Sequence, residues 1–222
     1  MVRCILYPRS KLFVTSGGKE QAASLLSSKV QEICTLIPAF KREIDWRRGK
    51  TIEGKDRVKY IFKNESELDN IAAKESSRGL RRHGGSIEEC VGVDGDILQN
   101  VIIPIMAVPR RAMDGSSRPE ETLSRSQVYV TTAGWKNTFA YDKLISLLVR
   151  MITDPDRCIV LGGTWRTPVA MGLQPKTFIK DQKEEGTFNE AGFDREYESI
   201  WSGTVEDAFF RPEIFDRNRR LN

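Results

Sequence analysis

The sequence predicts an α/β fold, a largely parallel sheet with helices on its faces, and three junctions carry that prediction. Gln127, Val128, Tyr129 and Val130 form an alternating, β-rich run that reads as a buried strand. It stops on a small polar turn, Thr131, Thr132, Ala133 and Gly134. Residues 135–148 then read as helix, with Phe139, Ala140, Lys143, Leu144, Leu147 and Leu148 at helical spacing. A second junction joins residues 11–15 to a helix through Gly17 and Gly18, and a third places Glu88 and Glu89 between a short strand and a helix. Ligands in open α/β sheets bind beyond the carboxyl ends of the strands, so these turns are where chemistry is expected.

The remaining elements follow in chain order. The helix after Gly18 carries Ala22, Leu25, Leu26, Val30, Ile33 and Leu36 on one face, and Pro38 ends it. Val58, Tyr60 and Phe62 alternate as a strand; a polar turn over 63–66 and a short strand over 68–72 complete a hairpin. Asp94 and Asp96 flank Gly95 and cap a helix that runs to Met106, interrupted at Pro104. Residues 115–121, rich in Ser, Gly, Pro and charge, read as a mobile loop, and residues 158–161 as another buried strand. From Pro175 the composition turns helical and charged, which places a loose boundary there: 1–174 as the core, 175–222 as a helical appendage.

With 222 residues, 39% of them hydrophobic, the chain can bury one sizeable core. Cys4, Cys34, Cys90 and Cys158 are widely spaced with no CxxC pair, which argues against a disulfide framework or a zinc site. No apolar run reaches the length of a membrane span, and residues 1–6 are too short for a signal peptide, so an intracellular protein is expected. The net charge of +4 is modest, but basic residues cluster: Arg47, Arg48 and Lys50; Arg78, Arg81, Arg82 and His83; Arg110 and Arg111; Arg217, Arg219 and Arg220. Each cluster is a candidate for neutralising phosphates. His83, the sole histidine, has no metal partners at ligand spacing.

A phosphate-binding loop requires GxxxxGK[ST], in which backbone N–H groups wrap the phosphates, the lysine reaches the β and γ oxygens and the hydroxyl holds Mg²⁺. SGGKEQ puts Glu20 in the place of that hydroxyl, and RRGKTIEG puts Ile44 in the place of the first glycine. Neither qualifies.

Taken together, SSRGLRR, then IEEC, then about forty residues later a strand ending in TTAGWKNTFAY resemble the ATPase domain of viral DNA-packaging terminase large subunits. The resemblance continues through RCIVLGGTW and FDREYESIWSGTVEDAFF. It implies an incomplete P-loop NTPase sheet of the RecA/ASCE-like kind with flanking helices and a helical C-terminal lid or linker. Glu88 and Glu89 take the positions of the Walker B acids, Glu88 on the metal side and Glu89 polarising the attacking water. The family usually has Asp where Glu88 stands. Thr131 and Thr132 match the coupling motif that senses the γ-phosphate, and Arg78, with Gly79 allowing a tight turn, matches an arginine near the nucleotide.

The resemblance further implies ATP and Mg²⁺ as cofactors of the complete subunit. Its implied partners are double-stranded DNA, a portal protein, a terminase small subunit and identical subunits in a ring, without a membrane, in the cytoplasm of an infected host cell. The chain is expected to begin after the phosphate-binding helix and to stop before a nuclease domain. On that expectation, Leu25, Leu26 and Val30 would be left exposed by an incomplete sheet. Two other functions compete: a nucleic-acid-binding module of ATPase-like fold without turnover, and a metal-dependent nuclease using Glu88, Glu89, Asp94 and Asp96.

Overall fold

The computed structural model describes residues 1–119, 121 and 124–203, and the chain forms two compact units, Met1–Thr131 and Thr132–Asn222. The basic cluster of Arg217, Arg219 and Arg220 and the end of the FDREYESIWSGTVEDAFF segment lie outside the described residues.

In the first unit a short helix α1 (Val2–Leu6) leads into strand β1 (Lys11–Thr15), the long helix α2 (Lys19–Leu36) and α3 (Pro38–Glu43). Pro38 both stops α2 and opens α3, because its ring cannot continue one helix but is pre-set for the first turn of the next. Strands β2 (Ile52–Glu53), β3 (Val58–Ile61) and β4 (Glu67–Asn70) follow, and β3 and β4 form the expected antiparallel hairpin. Next come β5 (Gly84–Glu88), a small ribbon of β6 (Arg110–Arg111) and β7 (Ser117–Arg118), and β8 (Ser126–Val130). The six-stranded sheet has the order β2-β3-β4-β1-β5-β8, and β4, β1, β5 and β8 are mutually parallel.

The helix α2 covers one face. Ala23, Leu26 and Val30 join Leu12, Val14, Ile44, Val58, Tyr60, Phe62 and Leu68 in one cluster, with Leu25 packed against its rim. The expected exposure of Leu26 and Val30 is therefore corrected: the unit's own sheet supplies their partners. Tyr60 is fully buried, its hydroxyl donating to Glu53 at 2.6 Å.

Several local expectations also change. Gly84, Gly85 and Ser86, weak strand formers by composition, belong to an interior strand paired on both sides, because Phe13 on β1 lies against Gly85 and leaves no room for a side chain there. The 95–106 stretch is capped by Asp94 as expected, its Oδ1 accepting from the N–H groups of Asp96 (2.8 Å) and Ile97 (3.0 Å). It is not one helix, however. A helical turn α4 (Gly95–Ile97) passes into a π turn (Leu98–Ile102) and then a 3-10 turn (Pro104–Met106), which together bury Leu98, Val101, Ile102, Ile105 and Met106. In the 115–121 loop, Ser117 and Arg118 pair with Arg111 and Arg110. Strand β8 is the outermost strand, and Val128 and Val130 are about half exposed, so it is not the buried strand that its sequence suggested.

The second unit begins at Thr132. Its first helix, α5 (Phe139–Thr153), starts later than residue 135 because Thr138 is the N-cap, its hydroxyl accepting from the Tyr141 N–H at 3.4 Å. Trp135 lies in a bridge to Ser202 instead. Residues 158–161 form no strand: Cys158 is buried, but Ile159 and Leu161 are 72% and 84% exposed, because an apolar run becomes a strand only where a neighbour offers a ladder. Helices α6 (Arg166–Ala170), α7 (Lys176–Glu184) and α8 (Glu190–Tyr197) complete the described part, and residues 198–203 are not helical. Among the described residues no helix is long and apolar enough to cross a membrane.

Candidate active site

Three adjacent parallel strands, β1, β5 and β8, end at one edge of the sheet, and the three predicted junctions meet there. The register pairs Thr15 with Ile87 and Glu88 with Val130, which brings the β1 turn, the acidic pair and Thr131 to the same carboxyl edge. Glu88 is the last residue of β5. Its carboxylate accepts a hydrogen bond from the hydroxyl of Ser86, two residues back on the same strand face. Ser86 is thus a positioning residue that the sequence reading did not single out, although its i, i+2 spacing from an acid at a strand end is a usable signal.

Glu89 leaves the strand in the left-handed conformation, φ 49°, and is exposed. A non-glycine residue there is disfavoured by contact between Cβ and the following carbonyl, so the turn is held by its surroundings. A 3-10 turn (Cys90–Gly92) follows, and the Val91 N–H donates to Thr131 Oγ1 at 3.3 Å. The coupling candidate and the acidic turn are therefore in direct contact. From the β1 side, a Cβ on Gly17 would stand 3.1 Å from the Gly92 carbonyl oxygen, so a glycine at 17 is what lets the β1–α2 turn approach the acidic turn. Thr131 and Thr132 are both exposed, and the division between the two units falls between them.

Arg78 lies on the return path from β4 to β5. It is exposed and bound to Glu75 through Nε (2.9 Å) and Nη2 (3.0 Å), with Nη1 donating to the Asn100 carbonyl at 3.3 Å. Gly79 turns the chain with φ 91°, a conformation that glycine adopts without strain.

The neighbouring basic residues correct the phosphate reading of their clusters. Arg82 is buried and clamps Asp69 on β4 through two contacts, one of them Nε to Oδ1 at 3.0 Å. Buried His83 uses Nδ1 to accept the Lys11 N–H at 2.9 Å, and burial together with nearby Lys11 and Arg110 pushes its pKa down to about 4. Arg110 is likewise buried, bidentate to Glu121 at 2.7 and 2.8 Å and donating to the Pro8 carbonyl at 2.7 Å. Arg82 and Arg110 are thus already paired within the fold, whereas Arg81 and Arg111 of the same clusters are exposed. Arg47 closes on Asp45, whose carboxyl it holds at about 2, and Arg48 and Lys50 are exposed.

Chemically, the edge offers one carboxylate fixed by a hydroxyl, a second on a strained turn, and a threonine hydroxyl bonded to the residue two positions after that second acid. Among the described residues no three His, Cys, Asp or Glu side chains converge on a metal site. The donor set suits Mg²⁺ carried by phosphates, which takes one or two protein carboxylates, better than an all-protein cage. It disfavours the nuclease reading, since Asp94 is engaged as a helix cap.

No protein-family model and no curated protein sequence matches the chain. Solved structures do. The large terminase of bacteriophage HK97 superimposes with a TM-score of 0.59 at 15% identity, over 97% of this chain and 45% of that one. The large terminase ATPase domain of Thermus phage P74-26 gives 0.55 at 12% identity, over 90% and 79%. The large terminase of another thermophilic bacteriophage, solved in complex with ADP, gives 0.53 at 10%, over 88% and 41%. The chain thus spans less than half the length of the HK97 protein and of the ADP-bound one, and its fold is that of phage large-terminase ATPase domains.

Proposed function

We propose that this chain is part of a terminase large subunit, the ATP-driven motor that moves double-stranded DNA into a viral capsid. The observation that carries the reading is the joined edge: Glu88 ending β5, Glu89 on a left-handed turn, and Thr131 at the end of β8 bonded to that turn, on a sheet of terminase-ATPase fold. In this role Glu88 holds the water shell of a phosphate-bound Mg²⁺ and Glu89 polarises the attacking water. Bound with ATP, Mg²⁺ would neutralise charge on the transferred phosphate. Thr131 and Thr132, at the division between the two units, relay the nucleotide state along the chain towards α5. Arg78 and Gly79 serve the nucleotide or a neighbouring subunit, and residues 175–222 act as a lid or linker. Partners on this reading are double-stranded DNA, a portal protein, a small subunit and further copies in a ring, in the infected host cytoplasm.

The second reading, a nucleic-acid-binding module without turnover, is favoured by the lack of GxxxxGK[ST] in the 222 residues. One substitution separates the two. In a subunit that also carries a phosphate-binding loop, Glu89→Gln keeps shape but cannot polarise water, so hydrolysis falls on the order of a thousandfold while ATP binding persists. Glu88→Ala instead raises the Mg²⁺ concentration needed. Normal hydrolysis by Glu89→Gln makes the acidic turn structural and leaves the binding-module reading standing.

A further inference from the structure

The second unit holds a cleft of about 630 Å³ between α6 and α7, whose lining includes Arg166, Lys176, Lys180 and Lys183, with Trp165 and Ile179 as its apolar floor and no carboxylate. We infer that this cleft seats the phosphate backbone of a nucleic acid, an assignment that rests on the DNA-motor reading and places one of its DNA contacts. Lys176, Lys180 and Lys183 fall at i, i+4 and i+7, so one face of α7 presents three ammonium groups over roughly 10 Å of helix. Duplex DNA carries about six charges over that length, so the row is matched to a continuous polyanion more closely than to a single phosphate.

The floor holds the cations in place. Ile179 is buried, Lys183 lies over the Phe193 ring at 4.6 Å, and Arg166 sits over Trp165 at 4.8 Å while bonding Glu198 at 2.5 Å. Arg166 is therefore tied down, and Lys180 has only an exposed, 3.7 Å contact with Glu184. Lys176 forms no ion pair among the described residues, and Lys183 feels Glu198 only at longer range, so neither breaks a close pair to meet a phosphate. Long lysine stems packed on apolar surface with the charge held outward suit a flexible, sequence-blind contact.

The test is duplex DNA binding by the full chain, without nucleotide, followed by fluorescence anisotropy across a salt series. Lys176→Gln/Lys180→Gln/Lys183→Gln is expected to weaken binding more than tenfold at low salt and to flatten the slope of log K against log salt by about 2 to 3. The triple Lys29→Gln/Lys41→Gln/Lys63→Gln makes the same charge change on exposed positions of the first unit and should leave the slope nearly unchanged. The corresponding lysine-to-arginine triple at 176, 180 and 183 should bind like the parent. Equal losses from both glutamine triples, an unchanged slope, or equal competition by polyglutamate of matched charge would each overturn the assignment. So would absence of duplex binding by the parent chain. None of these outcomes touches the hydrolysis test of Glu89, so failure of the cleft and failure of the motor reading are separable.

Discussion

The ring of Phe13 fills the space that a side chain on Gly85 would need, and the two residues are direct partners across β1 and β5. An aromatic ring over a cross-strand glycine replaces the packing that the glycine cannot provide, which makes a Gly-Gly-Ser run usable in an interior strand. That strand ends on Glu88, so the position of the candidate acid depends on this packing.

Gly85→Val is expected to destabilise the first unit by about 1–3 kcal/mol or more, because Phe13 is almost wholly buried and cannot move aside without disturbing its neighbours. Denaturant unfolding measures it. Phe13→Leu in the Gly85→Val background should recover part of the loss, whereas additive losses would mean that the two residues do not share the space.

Arg82 and Arg78 stand four residues apart in one basic cluster, yet they should behave differently. Arg82→Ala leaves Asp69 as an uncompensated charge in a site where both side chains are about one-tenth exposed, a loss of about 3–5 kcal/mol. Arg78→Ala breaks a solvent-exposed i, i+3 pair that water screens, so its unfolding midpoint should stay close to the parent's. Similar stability losses for both would contradict this division of a structural from a surface arginine.

That contrast shows where sequence reasoning reaches its limit. Periodicity made β1, α2 and the β3–β4 hairpin legible, since Leu12 and Val14, Ala23 and Leu26, and Val58, Tyr60 and Phe62 carry the pattern of the surface they bury. The acidic pair and the Thr-Thr turn were legible as strand ends, and the register of β5 and β8 brings them to one edge. What stayed hidden depends on partners distant in sequence. Arg82 and Arg110 read as phosphate ligands because Asp69 and Glu121 become their partners only once the sheet forms. β5 has no pattern of its own without Phe13. The run at 158–161 has the composition of a strand but no ladder, and the start of α5 is set by one hydroxyl, that of Thr138.

Acid should weaken the first unit through His83. Its folded pKa of about 4 lies below the unfolded value near 6.5, so the native state favours neutral imidazole. Above pH 6.5 neither state is protonated and this stability is fully present. As pH falls from 6.5 towards 4 the unfolded chain takes up a proton that the folded one refuses, and stability drops by up to about 3 kcal/mol. His83→Asn, which keeps an acceptor for the Lys11 N–H, should flatten that part of the pH profile. A variant that tracks the parent between pH 6.5 and 4 would show that the acid sensitivity arises elsewhere.

The two threonines at the end of β8 should separate. Thr131 Oγ1 accepts from the Val91 N–H, whereas Thr132 opens the second unit and is exposed. Valine keeps the branched shape and removes the hydroxyl, and the Val91 contact is exposed enough for water to replace it, so Thr131→Val should cost under about 1 kcal/mol in stability. A large loss of function from so small a structural change would have to come through the acidic turn. In a subunit with a phosphate-binding loop, Thr131→Val is therefore expected to slow hydrolysis by loosening the turn that carries Glu89, and Thr131→Ser to restore it. Thr132→Val, which leaves the Thr131–Val91 contact in place, should spare ATP binding and reduce DNA movement more than hydrolysis. Side-by-side ATPase and DNA-translocation assays on one preparation decide the matter: full rates of both processes in both valine variants would reduce the Thr131–Val91 contact to an ordinary strand end.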